Sequence, residues 1–278
     1  MANVSPGAEQ WRRQAFTLVE LLVAMAVMAL LLVLLLQISS STLQATRASR
    51  QQLEASQLSR QALDGLAADL SNVVIENGLS IFVAQDSLAN TRLLFLTRSR
   101  PPNVSGGSPV RLLAVCYELQ GTTLIKRISP ITWTESALPS AIFTAITSSD
   151  IIELAQGILR FEAVVVLQDG RVLDLSQPGD WKQTSILGQT IPEPFRGLRL
   201  QGSADQRVRS LIVGVAAVDR QSLQFAETSD IGRELPAPRN GETPLEAWSR
   251  ALDAGAIQAA PQSALRALRL DQRTYLLK

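Results

Sequence analysis

Glu20 is a carboxylate placed where a carboxylate is expensive. Between residues 16 and 36 only Thr17 and Glu20 are polar. As a helix this run of about 20 residues would span roughly 30 Å, the hydrocarbon thickness of a bilayer. It is apolar on every side rather than along one stripe, which suits lipid better than a soluble surface. An ionised acid near one end of such a segment costs on the order of a few kcal/mol unless something neutralises it. The chemistry open to Glu20 is therefore ion pairing, and an amine is its natural complement. The plainer alternative is a membrane anchor whose Glu20 lies at headgroup depth and is solvated there.

Few other residues invite chemistry. The 278-residue chain contains no histidine, which excludes Ser-His-Asp and Cys-His catalysis in their usual forms and removes the commonest zinc and copper ligand. Its single cysteine, Cys116, rules out an internal disulfide or a CxxC motif; within Leu112-Leu113-Ala114-Val115-Cys116-Tyr117 it reads as a small buried hydrophobe. Asp169-Gly170 has the composition of a hairpin turn before that of a metal site. Asp219 ends the apolar run 212–218, where an α/β enzyme would place an acid, but the preceding strands lack the alternating helices a parallel sheet needs. Gly106-Gly107 and Gly170-Arg171-Val172 are not phosphate loops, because no Lys-Ser or Lys-Thr follows on a helix. A formal net charge of +1 gives no bulk attraction to nucleic acid. The arginines of the Pro/Gly-rich loop 98–109 have no interleaved aromatics on which bases would stack. These residues predict no metal, no cofactor, no small-molecule substrate and no nucleic-acid partner.

The elements that would carry Glu20 can be read from periodicity. Beyond residue 36 the chain turns polar yet stays free of Pro and Gly until Gly65, and Leu63, Leu66, Leu70 and Val73 recur at spacings of three and four. One helix is predicted over 16–76, ending at Glu76-Asn77-Gly78, with a membrane half (16–36) and an amphipathic half laid on a globular domain. After Gly78 the period changes to that of strands: 81–83, 92–97, 110–118 and 122–128, the last two joined at Gln120-Gly121. Residues 129–150, with Pro130 and Pro139, read as an irregular insertion. Segment 151–157 leads into a strand over 158–167, a turn at Asp169-Gly170, and strands over 171–175, 197–201 and 208–219. A linker is predicted at 234–241. Thr243-Pro244-Leu245-Glu246 is a capping box with Pro at the first helical position, starting a helix to about residue 253 that Gly255 stops. A second short helical pattern begins at Pro261, and 273–278 is predicted to return as an edge strand.

Two kinds of N-terminus fit these residues. One is a secretory signal, with Arg12 and Arg13 before an apolar core and a small-residue cleavage site at Ser39-Ser40-Ser41; the run is long for that and carries an acid near its start. The other is carried by Arg12-Arg13-Gln14-Ala15-Phe16-Thr17-Leu18-Val19-Glu20. This stretch resembles the class III signal of the type IV pilin superfamily, in which a short basic leader ends in a small residue, Phe begins the mature chain and Glu lies at its fifth position. Here Ala15 stands where that family usually has Gly. The resemblance implies cleavage between Ala15 and Phe16 by a prepilin peptidase, N-methylation of Phe16, and a role for Glu20 in assembly as partner to the Phe16 amine of a neighbouring subunit. It also implies a cytoplasmic N-terminus and a periplasmic domain anchored in bacterial inner-membrane lipid. Charge alone leaves the orientation open, since Arg47 and Arg50 follow the span as Arg12 and Arg13 precede it.

Leu154-Ala155-Gln156-Gly157-Ile158, Phe161-Glu162, Asp169-Gly170, Trp181, Ile191-Pro192 and the terminal strand resemble minor pseudopilin J of type II secretion; the added tail is similar to prepilin-like proteins of a verrucomicrobial cassette type. The expected fold is α+β and pilin-like: leader 1–15, long helix 16–76, β-rich domain 77–235, and linker and helical tail 236–278. The function implied is that of a non-enzymatic minor subunit whose partners are other minor and major pilins or pseudopilins. The Asp-rich calcium loop of major pseudopilins has no counterpart here. The competing function is an exported binding protein or enzyme that uses its N-terminus only as a tether. A third is a pilin whose exposed domain holds DNA or a surface.

Overall fold

The computed structural model describes residues 17–74, 80–85, 90–99, 111–131, 142, 146, 149–173, 185–186, 189–190, 196–199, 208–228, 230–239, 241–258 and 261–277. The chain divides into two compact units, Met1–Ser49 and Arg50–Lys278. Helix α1 (Leu18–Leu70) runs through that division. In the first unit every described side chain of α1 is exposed, including the aliphatic run up to Leu36. It is the one helix among the described residues long and apolar enough to cross a membrane.

In the second unit α1 becomes one-sided. Ala55, Ser59, Ala62, Leu63, Leu66 and Leu70 are buried, a stripe at helical spacing that faces the β-structure. The helix stops at Leu70 rather than near residue 75. Past it, the backbone finds better partners on a neighbouring strand: Val74 N–H donates to Leu96 O at 2.9 Å and Asn72 O accepts from Arg98 N–H at 2.9 Å. The Asn72 side chain meanwhile donates to the terminal-turn carbonyl of Ala68. The Asn77-Gly78 stop signal lies outside the described residues.

The strands among the described residues form two main antiparallel sheets and a short hairpin. The larger sheet has the order β10-β1-β2-β3-β4-β5, from β1 (Ser80–Gln85), β2 (Thr91–Ser99), β3 (Arg111–Gln120), β4 (Thr123–Ile131), β5 (Asp150–Gln156) and β10 (Arg196–Arg199). The smaller has the order β12-β11-β6-β7, from β6 (Ile158–Leu167), β7 (Val172–Leu173), β11 (Val208–Ala217) and β12 (Arg269–Leu276). The hairpin pairs β8 (Ser185–Ile186) with β9 (Gln189–Thr190). Gly157, at φ +95°, carries the chain from one sheet to the other. A Cβ there would lie 2.6 Å from Val218 O, so the position requires glycine. Asn90 and Thr91 then tie the sheets together: their side chains accept from the N–H groups of Phe161 (3.3 Å) and Ala163 (3.1 Å).

The main core lies between the α1 stripe and the sheets, around Leu66, Phe95, Tyr117, Phe161 and Val213. A second cluster gathers Phe82, Leu94, Cys116, Ile142 and Ile146. The irregular insertion predicted at 129–150 therefore has two corrections: its first residues extend β4 to Ile131, and Ile142 and Ile146 are helical and buried.

The tail differs most from the predicted linker and helical extension. After α2 (Arg220–Thr228) and α3 (Ile231–Glu234), helix α4 (Pro244–Asp253) starts at the predicted capping box, with Thr243 N–H donating to Glu246 Oε2 at 2.8 Å. Its Trp248 is fully buried, in a cluster with Leu159, Ala216, Val218, Ile231 and Leu235. The contact with β11 is close enough that a Cβ on Gly214 would fall 2.4 Å from Pro244 Cβ. Helix α5 (Gln262–Ala267) follows Pro261, where the short helical pattern is predicted to begin, and β12 begins at Arg269, not Arg273. The free edge of β11 offers partners from Ser210 to Ala217. That ladder outcompetes a helix too short to be stable by itself. Residues 236–278 thus belong to the same compact unit as the β-domain. A long N-terminal helix followed by antiparallel sheets is an α+β fold consistent with that of pilins.

Candidate functional site

The site built around Glu20 starts with a helix cap. Thr17 has its hydroxyl oxygen 3.2 Å from the Glu20 N–H, and Glu20 Oε2 accepts from the Thr17 N–H at 3.1 Å and its hydroxyl at 3.2 Å. This is the reciprocal capping box, here at the mouth of the apolar helix. It satisfies backbone donors that would otherwise enter lipid unpaired and sets the carboxylate against the positive end of the helix dipole. The same Thr-x-x-Glu spacing is legible as a cap at 243–246; at 17–20 it coincides with the likeness to an assembly signal. Glu20 is exposed, and the contacts above engage Oε2. Ala15 and Phe16, the expected cleavage and methylation positions, lie outside the described residues.

The other candidates have local duties. Asp169 sits on an exposed turn and accepts from Arg171 through both its backbone N–H (2.9 Å) and Nε (2.5 Å), which hold its carboxyl below the usual range. Asp219 is fully buried and caps α2: its Oδ1 accepts from Gln221 N–H at 2.9 Å and Ser222 N–H at 3.1 Å. Cys116 is buried, and burial, with the nearby Glu118 charge, pushes its thiol up to about 12. At neutral pH it stays a thiol and acts as core.

The residues that hold α1 to the domain carry no signature in the sequence. Asp69 accepts from Tyr117 Oη at 2.5 Å and pairs with Lys126 at 2.5 Å. Burial and that hydrogen bond both raise the Tyr117 phenol well above its ordinary value, so it remains a neutral donor. Ser59 donates to Asp271, Arg273 pairs with Asp64 at 2.5 Å, and Tyr275 Oη donates to Leu63 O at 2.7 Å. Strand β12 therefore grips α1 with every second side chain, as strand alternation dictates. Inside the domain, Arg160 and Glu162 form a buried ion pair at 2.6 Å. Thr91 Oγ1 donates to Glu162 at 2.7 Å, and Arg160 reaches Gly232 O at 3.4 Å. Arg160 and Glu162 are two residues apart on β6, but their contacts with Thr91 and Gly232 come from elements far away in the chain, which no local pattern marks.

Residues 12–36 match the family model described as the prokaryotic N-terminal methylation motif. That is the prepilin-type signal of type IV pilins and pseudopilins. The signal supports a pilin-like precursor, and the helix behind it is long and apolar enough to anchor the N-terminus in a membrane. Proteins with this signal are typically structural subunits, processed by a prepilin peptidase and assembled with other pilins. No curated protein matches the chain.

Proposed function

We propose that this chain is a minor pilin or pseudopilin subunit, similar to minor pseudopilin J, that primes or joins the tip of a type II secretion or type IV pilus-like filament. The observation that supports this most is the methylation motif over residues 12–36, which places Glu20 at the start of a 53-residue helix. In this reading prepilin peptidase cuts between Ala15 and Phe16 on the cytoplasmic side of the inner membrane and methylates the Phe16 amine. The anchor stays in lipid, and the β-domain stands in the periplasm among other minor and major subunits. The capping box engages Glu20 Oε2, and the second carboxylate oxygen is the acceptor for a neighbour's amine. Two charges that are each costly in lipid then neutralise one another on assembly.

The test is the mature N-terminus. Mass spectrometry of protein from native membranes is expected to find methylated Phe16. A chain beginning after Ser41, or one retaining Met1, would point instead to a tether on an exported enzyme or binding protein. Replacing Ala15 by Leu is expected to leave the leader attached, visible as a slower band on a gel.

A second variant separates assembly from maturation. Glu20→Ala is expected to insert and be processed yet enter filaments poorly. Glu20→Gln keeps a capping oxygen but not the charge, and is expected to fail equally. If Glu20→Gln assembles normally while Glu20→Ala does not, the carboxylate serves as a helix cap and not as an ion-pair partner.

A further inference from the structure

Among the described residues β5 is an edge strand of the six-stranded sheet and β12 an edge strand of the four-stranded one. Asp150, Ile151, Ile152 and Glu153 are exposed in succession, with Ile151 at 51 % and Ile152 at 45 %. Alternate side chains of a strand point to opposite faces. Four exposed residues in a row therefore leave both faces of this half of β5 uncovered, and the rim between them. Natural edges are usually blunted by Lys, Pro, a bulge or brevity. Residues 150–153 carry no Lys or Pro, their two charges are both acidic, and the irregularity of the β4–β5 ladder lies between Glu153 and Ala155, opposite Ile125 and Leu124. On β12, Arg269, Thr274 and Leu276 are exposed, Leu276 at 68 %.

The two edges differ in charge. Asp150 and Glu153 have no ion-pair partner among the described residues, because the cations beside them on β4 are engaged: Lys126 with Asp69 and Arg127 with Glu118. At the other edge Arg269 is largely exposed, with its carboxylate neighbour Asp271 at 3.6 Å, and Arg266 is exposed just before it. Two β5 edges paired antiparallel over 150–153 would set Asp150 on Glu153, which is unfavourable for cross-strand neighbours, whereas Arg269 of β12 offers an acid its counter-charge.

We infer that these edges are two halves of one interface between copies of this chain, β5 of one copy adding to β12 of the next. Main-chain hydrogen bonds supply the attraction, Glu153 meets Arg269, and the Ile151 and Ile152 side chains lose water against the first half of β12. Such a contact is heterologous: each copy presents both halves, so the association repeats along a line instead of closing as a two-fold dimer. It involves neither Ala15 nor Glu20, so an unprocessed chain associates in the same way and the failure of this inference is separable from that of the filament reading.

The test uses the full chain in detergent micelles, followed by sedimentation velocity over a range of concentrations. Wild type is expected to form concentration-dependent oligomers. Glu153→Arg and Arg269→Glu are each expected to lose them, since each sets like charges across the junction. Mixing the two variants is expected to restore association, because the altered β5 of one complements the altered β12 of the other; that rescue also shows both variants folded. A wild type that stays monomeric overturns the inference. So do single variants that associate as wild type does, the result for pairing through the apolar helix, and so does a mixture that fails to recover.

Discussion

Removing residues 236–278 is expected to abolish cooperative unfolding of the β-domain, not to trim a loose end from it. The deletion takes away β12, which pairs with β11 from Ser210 to Ala217, and with it Tyr275, whose hydroxyl binds Leu63 O of α1. It also strips α4 from β11, exposing Leu159, Ala216 and Val218 where Trp248 covered them. The buried Arg160–Glu162 pair lies on β6 in register with Ala216 and Gly214, and the latter is in contact with Pro244. Trp248 alone sets the scale. Truncating a buried Trp to Ala costs about 3–5 kcal/mol, against total stabilities of roughly 5–15 kcal/mol. Trp248→Ala is thus expected to lower the melting temperature of the micelle-bound chain by about 6–20 °C, at roughly 2–4 °C per kcal/mol for a unit of this size. The deletion removes several such contributions at once. Circular dichroism during heating reads both. A truncated chain that melts sharply at the full-length temperature would show the tail to be an appendage.

Local pattern alone does not lead to that expectation. Residues 234–241, with Pro236, Pro238 and Gly241, have the composition of a linker, and a linker is what they predict when read alone. What joins that segment and the helix after it to the β-domain is an interaction across the chain: β11 is a mostly apolar strand whose neighbour, the returning edge strand, is supplied from the far end of the sequence. Features set within a few residues fared differently. The helix over the apolar run, the β3–β4 hairpin at Gly121 and the cap at Thr243–Glu246 follow from spacing and turn chemistry, and the fold contains all three. The end of α1 falls short of its predicted place because Val73 and Val74 have a choice between one more helical turn and β2, and sequence periodicity reports only the first option. At the candidate site the same division holds. Glu20 stands out as an acid in an apolar run, yet its bond to Thr17 makes it also a structural residue of the helix mouth.

Glu162→Leu is expected to cost about 3–5 kcal/mol, because it leaves the guanidinium of Arg160 buried without its carboxylate. Both side chains are nearly inaccessible, at 2 % and 1 %, so water cannot take the partner's place. The pair links three elements: Thr91 of β2 donates to Glu162, Glu162 holds Arg160 on the same strand, and Arg160 reaches the carbonyl of Gly232 in α3. Gly232 itself has no room to adjust, since a Cβ there would meet Leu159 O at 2.2 Å. Arg160→Met is expected to be comparably harmful by leaving the buried acid without its cation. The double variant Arg160→Met/Glu162→Leu removes both charges, fills the space with apolar atoms, and is expected to recover most of the loss, leaving chiefly the unanswered Thr91 hydroxyl. Melting temperatures of the four chains in micelles form a double-mutant cycle, and the predicted signature is a double variant more stable than either single one. Additive losses would instead mean that each residue acts through separate packing. The distinction bears on why a β-domain keeps ions in its interior. A pair that hydrophobic residues replace at little cost is not there for stability; by demanding Thr91 on one side and Gly232 on the other, it fixes which strand and which helix meet over β6.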